Sequence, residues 1–228
     1  MSVSGRSPRK RSAQILCGVL AGPLFITAFT AIGAARRGYD WRRYPVSSLA
    51  IGPQGCQQRT NFILAGVLYS CAAVGLGRSD RRRIGPRAVP ALIAGVGIGL
   101  IGSGLFVTDY VGDLLDKGPG EKNRGQADGA TTRPTRTGQM HNLCGIPVFA
   151  GIPIAGLASA ATAVHSRDYR WAFYSAGSSM VMACSLRLFG AAIRGQSRLG
   201  GKSGIFQRIS IATGLGWLSA LSLRGLSH

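Results

Sequence analysis

Two side chains capable of acid–base chemistry stand at the two ends of a long polar loop. Asp109 ends one apolar segment, and His141 opens the next, where the sequence reads Thr137-Gly-Gln-Met-His141. A histidine acts as a general base when a carboxylate orients its ring. Histidines also serve as hydrogen-bonded structural groups or ligand contacts. The pair therefore predicts either a catalytic base with its orienting acid or a binding site.

Four further polar residues are expected near these two. Each lies at the end of an apolar segment or about one helical turn from it. These residues are Asn61, Arg187, Gln207 and Arg208. A charged group inside a membrane segment is costly and usually pairs with a partner, so we expect Asp109 to pair with Arg187 or His141. In the alternative, Arg187 simply extends to the membrane surface.

Neither a metal centre nor a serine-hydrolase site is predicted. A catalytic zinc site takes about three protein ligands, and the other histidines, His165 and His228, fall at the opposite end in the expected topology. Ser47 or Ser48 offers a hydroxyl to His141, but no spacing fixes that geometry. The five cysteines contain no C-x-x-C pair, which argues against a zinc ribbon or a redox motif. We therefore predict no metal and no cofactor.

The segments that carry these residues are long, apolar and nearly free of charge. Hydrophobic residues make up 46% of the chain and charged residues 15%, whereas soluble domains have about 25% charged residues. The charges cluster between the apolar segments, as is typical of helices in lipid. We predict an all-α polytopic membrane protein, a bundle of six transmembrane helices over 13–225, after a basic disordered tail at 1–12. The predicted spans are residues 13–35, 60–77, 88–109, 140–164, 171–192 and 208–225.

Six spans place both termini on the same side of a membrane. The first span is longer than the apolar core of a signal peptide, roughly 7–15 residues, so we expect it to be retained. Basic residues in short loops mark the cytoplasmic side, and Arg81-Arg-Arg83 is the most compact basic turn. We expect a multi-pass protein of the cell membrane with cytoplasmic N- and C-termini, which puts Asp109 and His141 at the outer face.

A net charge of +19 is compatible with a protein that binds nucleic acid. A nucleic-acid-binding domain shows a folded basic face with aromatic side chains or a known motif. Here the basic residues form short clusters between apolar segments. We expect no nucleic-acid partner and instead expect membrane lipids, with anionic headgroups at the basic loops, where each basic residue contributes about 1 kcal/mol.

Small residues recur at a spacing of four in the third span. Gly95, Gly99 and Ser103 therefore lie on one face of that helix. Such a face allows another helix backbone to approach closely. We expect this face to serve packing inside the bundle, and its use in a homo-oligomer stays open.

Five short stretches form a pattern that extends over most of the chain. The first is Tyr44-Pro-Val-Ser-Ser-Leu-Ala-Ile-Gly-Pro-Gln-Gly55, followed by residues 58–62 and by Gly102-Ser-Gly-Leu-Phe-Val-Thr-Asp109. The last two are Thr137-Gly-Gln-Met-His141 and Gly204-Ile-Phe-Gln-Arg208. Together and in this order they resemble the membrane family called domain of unknown function 998. The resemblance implies a six-helix integral membrane protein without an established activity. The family commonly has Asp at the position of Ser48, and its loss here weakens any two-carboxylate or metal mechanism.

Three functions are compatible with these residues. The leading hypothesis is a non-enzymatic membrane protein that binds a lipid headgroup or a small polar ligand at its outer face. The second is a membrane enzyme that modifies a lipid, with His141 as base and Asp109 as its orienting acid. The third is a small transporter, which would need polar residues near the middle of the membrane. The predicted spans hold few of these.

Overall fold

The fold is an all-helical bundle. The computed structural model describes residues 8–109, 135–194, 199 and 201–226. Within these residues it contains seven α-helices and no strand. The helices are α1 Pro8–Ala35, α2 Cys56–Leu76, α3 Arg81–Ile84, α4 Ala88–Leu105, α5 Arg136–His165, α6 Tyr169–Ile193 and α7 Ser203–Leu226. All but the short α3 are long and apolar enough to cross a membrane. The predicted class and the six spans are confirmed.

Helix bounds differ from the prediction where the functional candidates lie. α4 ends at Leu105 because Phe106 takes an extended backbone with φ −98° and ψ 123°, so Asp109 follows the span instead of closing it. α5 begins earlier than predicted, at Arg136, because the Thr135 side chain caps it by accepting from the Gly138 N–H. His141 therefore lies in the second turn of α5.

The N-terminal tail, residues 1–12, was predicted to be disordered. α1 begins at Pro8, so residues 8–12 of the predicted tail are helical. Residues 1–7 of the tail and residues 110–134 of the loop lie outside the described residues. The two closing residues of the chain, 227 and 228, lie outside them as well.

The six long helices form a closed ring. Each packs against the next long helix along the chain, and α7 packs against α1. The helices alternate in direction, so α1, α4 and α6 end where α2, α5 and α7 begin. We call this the His141 end of the bundle. The opposite end, which carries α3, is called the Arg82 end.

Glycines set the closest approaches between helices. A Cβ atom at Gly97 of α4 would lie 2.7 Å from the Gly66 carbonyl oxygen of α2, and a Cβ at Gly66 would lie 2.5 Å from the Gly97 oxygen. A Cβ at Gly99 would collide with the Cys144 carbonyl oxygen of α5, and Gly95 faces Pro147. The predicted small-residue face thus packs against α5 inside the bundle.

A cluster of polar and aromatic side chains holds the helices together at the Arg82 end. Arg224 of α7 forms an ion pair of 2.7 Å with Asp168, which precedes α6, and its Nε donates to the Arg83 carbonyl at 2.7 Å. The guanidinium also lies 4.9 Å from the centre of the Trp171 ring. The Trp171 backbone N–H, followed by Arg224, lowers the pKa of Asp168 below its ordinary value. These contacts join α3, α6 and α7 at one end of the ring.

The α2–α4 crossing yields a stability prediction. Gly97→Ala places a methyl group against the backbone of α2, and overpacking of this kind costs about 1–3 kcal/mol. Gly216→Ala is the matched control, since Gly216 is helical and exposed, and a Cβ atom there would have nothing within 4 Å. We expect Gly97→Ala to lower the midpoint of thermal unfolding in detergent, and Gly216→Ala to leave it equal or higher. Equal midpoints for the two variants would contradict the close crossing.

Candidate functional site

The connection between α1 and α2 lies across the His141 end as a strap, residues 36–55. It contains two 3-10 turns, Val46–Ala50 and Pro53–Gly55, and the second continues directly into α2. Arg36, just after α1, donates to the carbonyl oxygens of Leu49 at 3.1 Å and Ile51 at 2.8 Å. These bonds satisfy backbone acceptors that the non-helical strap cannot pair by itself. Arg36 therefore holds the second half of the strap to the end of α1.

Arg208 of α7 holds the first half of the strap. Its Nη1 donates to the carbonyl oxygens of Trp41 at 2.6 Å and Tyr44 at 3.0 Å. Its Nη2 donates to the Tyr39 hydroxyl at 2.6 Å. Burial raises the pKa of Tyr39, although the Arg208 charge acts in the opposite direction. The phenol therefore keeps its proton and donates in turn to the Pro45 carbonyl at 3.0 Å.

Gln207 ties the strap to the interior of the bundle. Its side chain is buried, with 5% of the residue surface exposed, and its Oε1 accepts from the Val46 N–H at 2.6 Å. The buried N–H would otherwise lack a partner, which costs about 1–3 kcal/mol. Gln207 keeps its side-chain NH₂ group available as a donor.

Asp109 connects the end of α4 to the start of α5. Its carboxylate accepts from the Thr135 backbone N–H at 3.0 Å and from the Thr135 hydroxyl. It also lies against Gly138, where a Cβ atom would collide with both carboxylate oxygens. Asp109 thus supports the residue that caps α5, and the lack of a side chain at Gly138 leaves room for the carboxylate in this position.

His141 is positioned by a backbone carbonyl. Its Nδ1 lies 2.8 Å from the Phe106 carbonyl oxygen, and since a carbonyl only accepts, Nδ1 carries a proton. The ring meets Phe62 edge to face, with 6.1 Å between ring centres. Among the described residues Nε2 has no hydrogen-bond partner. In neutral imidazole this nitrogen is an acceptor.

A cavity of about 390 Å³ lies inside the ring at the His141 end. Such a volume falls in the range of small-molecule sites, roughly 300–1,000 Å³. Its walls are mainly apolar side chains of α4, α5, α6 and α7, with Phe25 and Phe62 from α1 and α2. Its polar side chains all come from segments at the His141 end. They are Ser47, Ser103, Thr108, Asp109, His141, Asn142 and Gln207. We call this polar part the mouth.

Three of the six residues proposed from the sequence line this cavity. They are Asp109, His141 and Gln207. Asn61 is buried beside it and donates to the Phe25 carbonyl at 3.1 Å and to Gln58 at 3.3 Å. Arg208 is used by the strap. Arg187 is exposed on the outer surface of α6 and does not line the cavity.

The expected pairing of Asp109 with His141 or Arg187 is not what the structure has. Asp109 bonds to Thr135 because capping of α5 places that N–H and hydroxyl next to it. His141 bonds to Phe106 because α4 ends early and leaves that carbonyl free of helix bonding. The only ion pair among the described residues is Asp168–Arg224, at the opposite end.

The sequence reasoning missed one wall of the cavity. Four α6 residues line it at helical spacing, Met182, Leu186, Phe189 and Ile193. Their spacing of four, three and four residues is the signal that marks one helix face. This face was hard to recognise because large apolar residues such as Phe173, Met180 and Val181 also occupy the exposed side of the helix. Groups of three or more His, Cys, Asp or Glu suited to a metal are absent from the described residues.

The family comparison gives one match. The family model described as a protein of unknown function, DUF998, matches residues 19–224. The chain belongs to this family. The DUF998 match covers the strap, the mouth and four complete spans, together with most of α1 and most of α7. Comparisons with curated proteins and with solved structures gave no significant match.

The strap yields a proteolysis prediction for this DUF998 protein. Arg208→Ala removes the donors of three hydrogen bonds to the strap, and bonds from a charged group contribute about 1.5–3 kcal/mol each. We expect faster trypsin cleavage after Arg42 and Arg43, which are exposed in the strap, by about tenfold or more. Arg187→Ala removes an exposed arginine outside the site and is the matched control, expected to cleave at the wild-type rate. Equal rates for both variants would show that Arg208 does not hold the strap.

Proposed function

We propose that this DUF998 protein binds a lipid headgroup or a small polar ligand in the mouth of the cavity, without making or breaking a bond. One observation supports this most: an apolar cavity whose polar side chains are collected at a single end. Ligand sites of this kind use apolar walls for contact area and a few polar groups for orientation. The mouth offers His141 Nε2 and the free lone pairs of Asp109 as acceptors. Gln207 offers its NH₂ group as a donor.

The enzyme hypothesis lacks its orienting contact. It assigns His141 as base and Asp109 as the acid that orients it, but Asp109 is engaged with Thr135. Of the two hydroxyls considered as nucleophiles, Ser48 is buried and donates to the Pro45 carbonyl at 2.6 Å. Ser47 lines the cavity without a bond to His141 among the described contacts. A base beside its nucleophile is what such chemistry requires.

The transporter hypothesis needs a passage through both halves of the bundle. On α7 the cavity lining reaches Leu215, and nearer the Arg82 end Trp217 is buried, with 1% of its surface exposed. Trp217 is fixed there by a hydrogen bond of 3.0 Å from its Nε1 to Ser175. Tyr69 of α2 is equally buried. The binding hypothesis requires no such passage.

Headgroup binding is tested with water-soluble analogues and a matched pair of variants. Gly145 lines the cavity, and a Cβ atom there would have only Phe149 nearby, at 3.8 Å. Gly145→Phe should therefore fill the cavity, whereas Gly177→Phe places the same ring on an exposed helix surface. The measurement is the thermal unfolding midpoint of the purified proteins with glycerol, ethanolamine or glycerol phosphate.

We expect at least one analogue to stabilise wild type and Gly177→Phe, but not Gly145→Phe. A ligand at about 100 times its Kd adds about 2.7 kcal/mol to the folded state. Solutes also stabilise proteins without binding, so the difference between the two variants is the result that counts. Equal shifts in all three proteins, or no shift in any, would contradict binding in the cavity.

We further propose that the N- and C-termini are cytoplasmic and that the cell membrane is the location. The support is the basic turn at α3 together with Arg9, Lys10 and Arg11 at the start of α1, all at the Arg82 end. Basic residues in short loops favour the cytoplasmic side.

The basic clusters at both ends are suited to anionic lipid headgroups. A homo-oligomer would have to use other faces than Gly95 and Gly99, which pack inside the bundle.

Topology is tested by the accessibility of single cysteines. Cys56 is exposed at the His141 end, and Ser166, exposed between α5 and α6 at the Arg82 end, provides the opposite site as Ser166→Cys. In each variant the remaining cysteines are replaced by Ala or Ser. A membrane-impermeant maleimide added to intact cells should label the variant that retains Cys56 and leave the Ser166→Cys variant unlabelled. The reverse pattern would invert the proposed orientation.

A further inference from the structure

The cavity continues from the mouth into the space between α5 and α6. These helices are antiparallel, and their closed half is at the Arg82 end. There, Trp171 Nε1 donates to Ser159 Oγ at 3.0 Å, and a Cβ atom at Gly156 would collide with Ser179 Oγ. Beyond Ser179 the facing residues of both helices line the cavity instead.

The register of the two helices shows where the gap lies. Gly156 faces Ser179, so counting along the antiparallel helices puts Leu186 near Phe149, and Ile193 near Asn142. All four of these residues line the cavity. The two helices are therefore in contact in the half nearer the Arg82 end, and the cavity lies between them in the half nearer the His141 end.

Two apolar residues that line the cavity are also exposed on the surface of the bundle. Ile146 of α5 is 57% exposed and Ile193 of α6 is 44% exposed, yet both line the cavity. Both helices are membrane spans, so this flank meets lipid hydrocarbon. The exposed isoleucines thus mark an opening from the cavity toward the bilayer. We call it the α5–α6 portal.

The depth of the cavity fits one leaflet of a bilayer. On α6 it extends from Ile193 to Met182, a rise of about 16 Å at 1.5 Å per residue. The hydrocarbon core of a bilayer is about 30 Å thick. A hydrocarbon chain entering through the portal would remain within the leaflet at the His141 end, with its polar end level with the mouth.

The charges at the mouth select the headgroup. Among the described residues, Asp109 is the only charged side chain that lines the cavity. The nearby guanidinium groups of Arg36 and Arg208 are occupied by strap carbonyls. An anionic headgroup would face this carboxylate, and the described lining residues include no lysine or arginine to compensate the repulsion between the two negative charges. Hydroxyl groups can donate to Asp109 and to His141 Nε2 and accept from Gln207.

We propose that the cavity takes one hydrocarbon chain of a membrane amphiphile with a neutral, hydroxyl-bearing headgroup, which enters from the bilayer through the α5–α6 portal. The proposal rests on the proposed binding function and specifies its ligand class and route. The apolar walls receive the chain, and the mouth receives the hydroxyls. The basic surface clusters contact other, anionic lipids outside the cavity.

The test uses deuterated monoacylglycerol as probe. Purified protein in phospholipid nanodiscs is mixed with vesicles containing the probe, and native mass spectrometry follows the bound fraction over time. Ile146→Trp and Ile193→Trp narrow the portal with a larger side chain. Ile154→Trp is the matched control, since Ile154 is on the same helix as Ile146, is 54% exposed and does not line the cavity. Deuterated oleate serves as the anionic comparison.

We expect wild type to bind one monoacylglycerol and to prefer it over oleate. Both portal variants should take it up about tenfold more slowly, and Ile154→Trp should behave as wild type. If Ile146→Trp and Ile193→Trp take up the probe at the wild-type rate, the portal is not the route of entry. The proposed class of ligand would not be affected by that result. If oleate binds as tightly as monoacylglycerol, the proposed preference for a neutral headgroup is wrong.

The failure of this inference can be told apart from the failure of the proposed function. If monoacylglycerol is not bound but a soluble headgroup analogue still stabilises wild type and not Gly145→Phe, the mouth binds a polar ligand and the lipid assignment is wrong. If neither binds, both proposals fall. The tryptophan variants sit on lipid-facing surface, and their thermal midpoints report whether they fold.

Discussion

The contact of α5 with α6 at Gly156 and Ser179 decides where this bundle is closed and where it is hollow. A residue without a side chain faces a small hydroxyl there, so the two helices meet directly. Asp168, Arg224 and Trp171 then fasten the same end of α6 to α7. Toward the His141 end α6 still contacts α7, where Ser210 donates to the Met182 carbonyl at 3.2 Å. The α5 and α6 residues that face each other there, such as Phe149 and Leu186, are large and apolar and line the cavity.

The arginines next to the site bind the backbone of the strap. Non-helical backbone near the hydrocarbon region is tolerated only where its polar groups find partners within the protein or in water. The strap over the His141 end meets this requirement with Arg36 and Arg208, whose guanidinium groups each donate to several carbonyls. A chain with a net charge of +19 thus has a cavity whose only charged lining residue, in the described part of the chain, is an aspartate. Overall charge is therefore a poor guide to the ligand of this site.

The sequence was sufficient for the architecture and insufficient for the contacts. Long uncharged segments report burial in lipid directly, which is why the six spans and their order were predictable. The spacing of Gly95 and Gly99 gave the α4 face that packs on α5, because helical period alone determines a face. Asp109 and His141 were rightly placed at one end, but their partners depend on where α4 stops and how Thr135 caps α5. Helix ends can differ by a few residues from their predicted positions. A difference of that size changes which groups lie close enough to Asp109 and His141 to form hydrogen bonds. For Arg187 the sequence left two positions open, pairing with Asp109 or extension to the membrane surface, and the structure has it exposed on α6.

The central claim is that the gap between α5 and α6 holds an amphiphile whose polar end lies at His141. A crystal structure of the wild-type protein grown from a lipid bilayer would test it most directly. The account predicts elongated density between Phe149 and Leu186 that ends within hydrogen-bond distance of His141 Nε2. A structure in which α5 and α6 are in contact from Gly156 to Asn142, with no space between them, would contradict it.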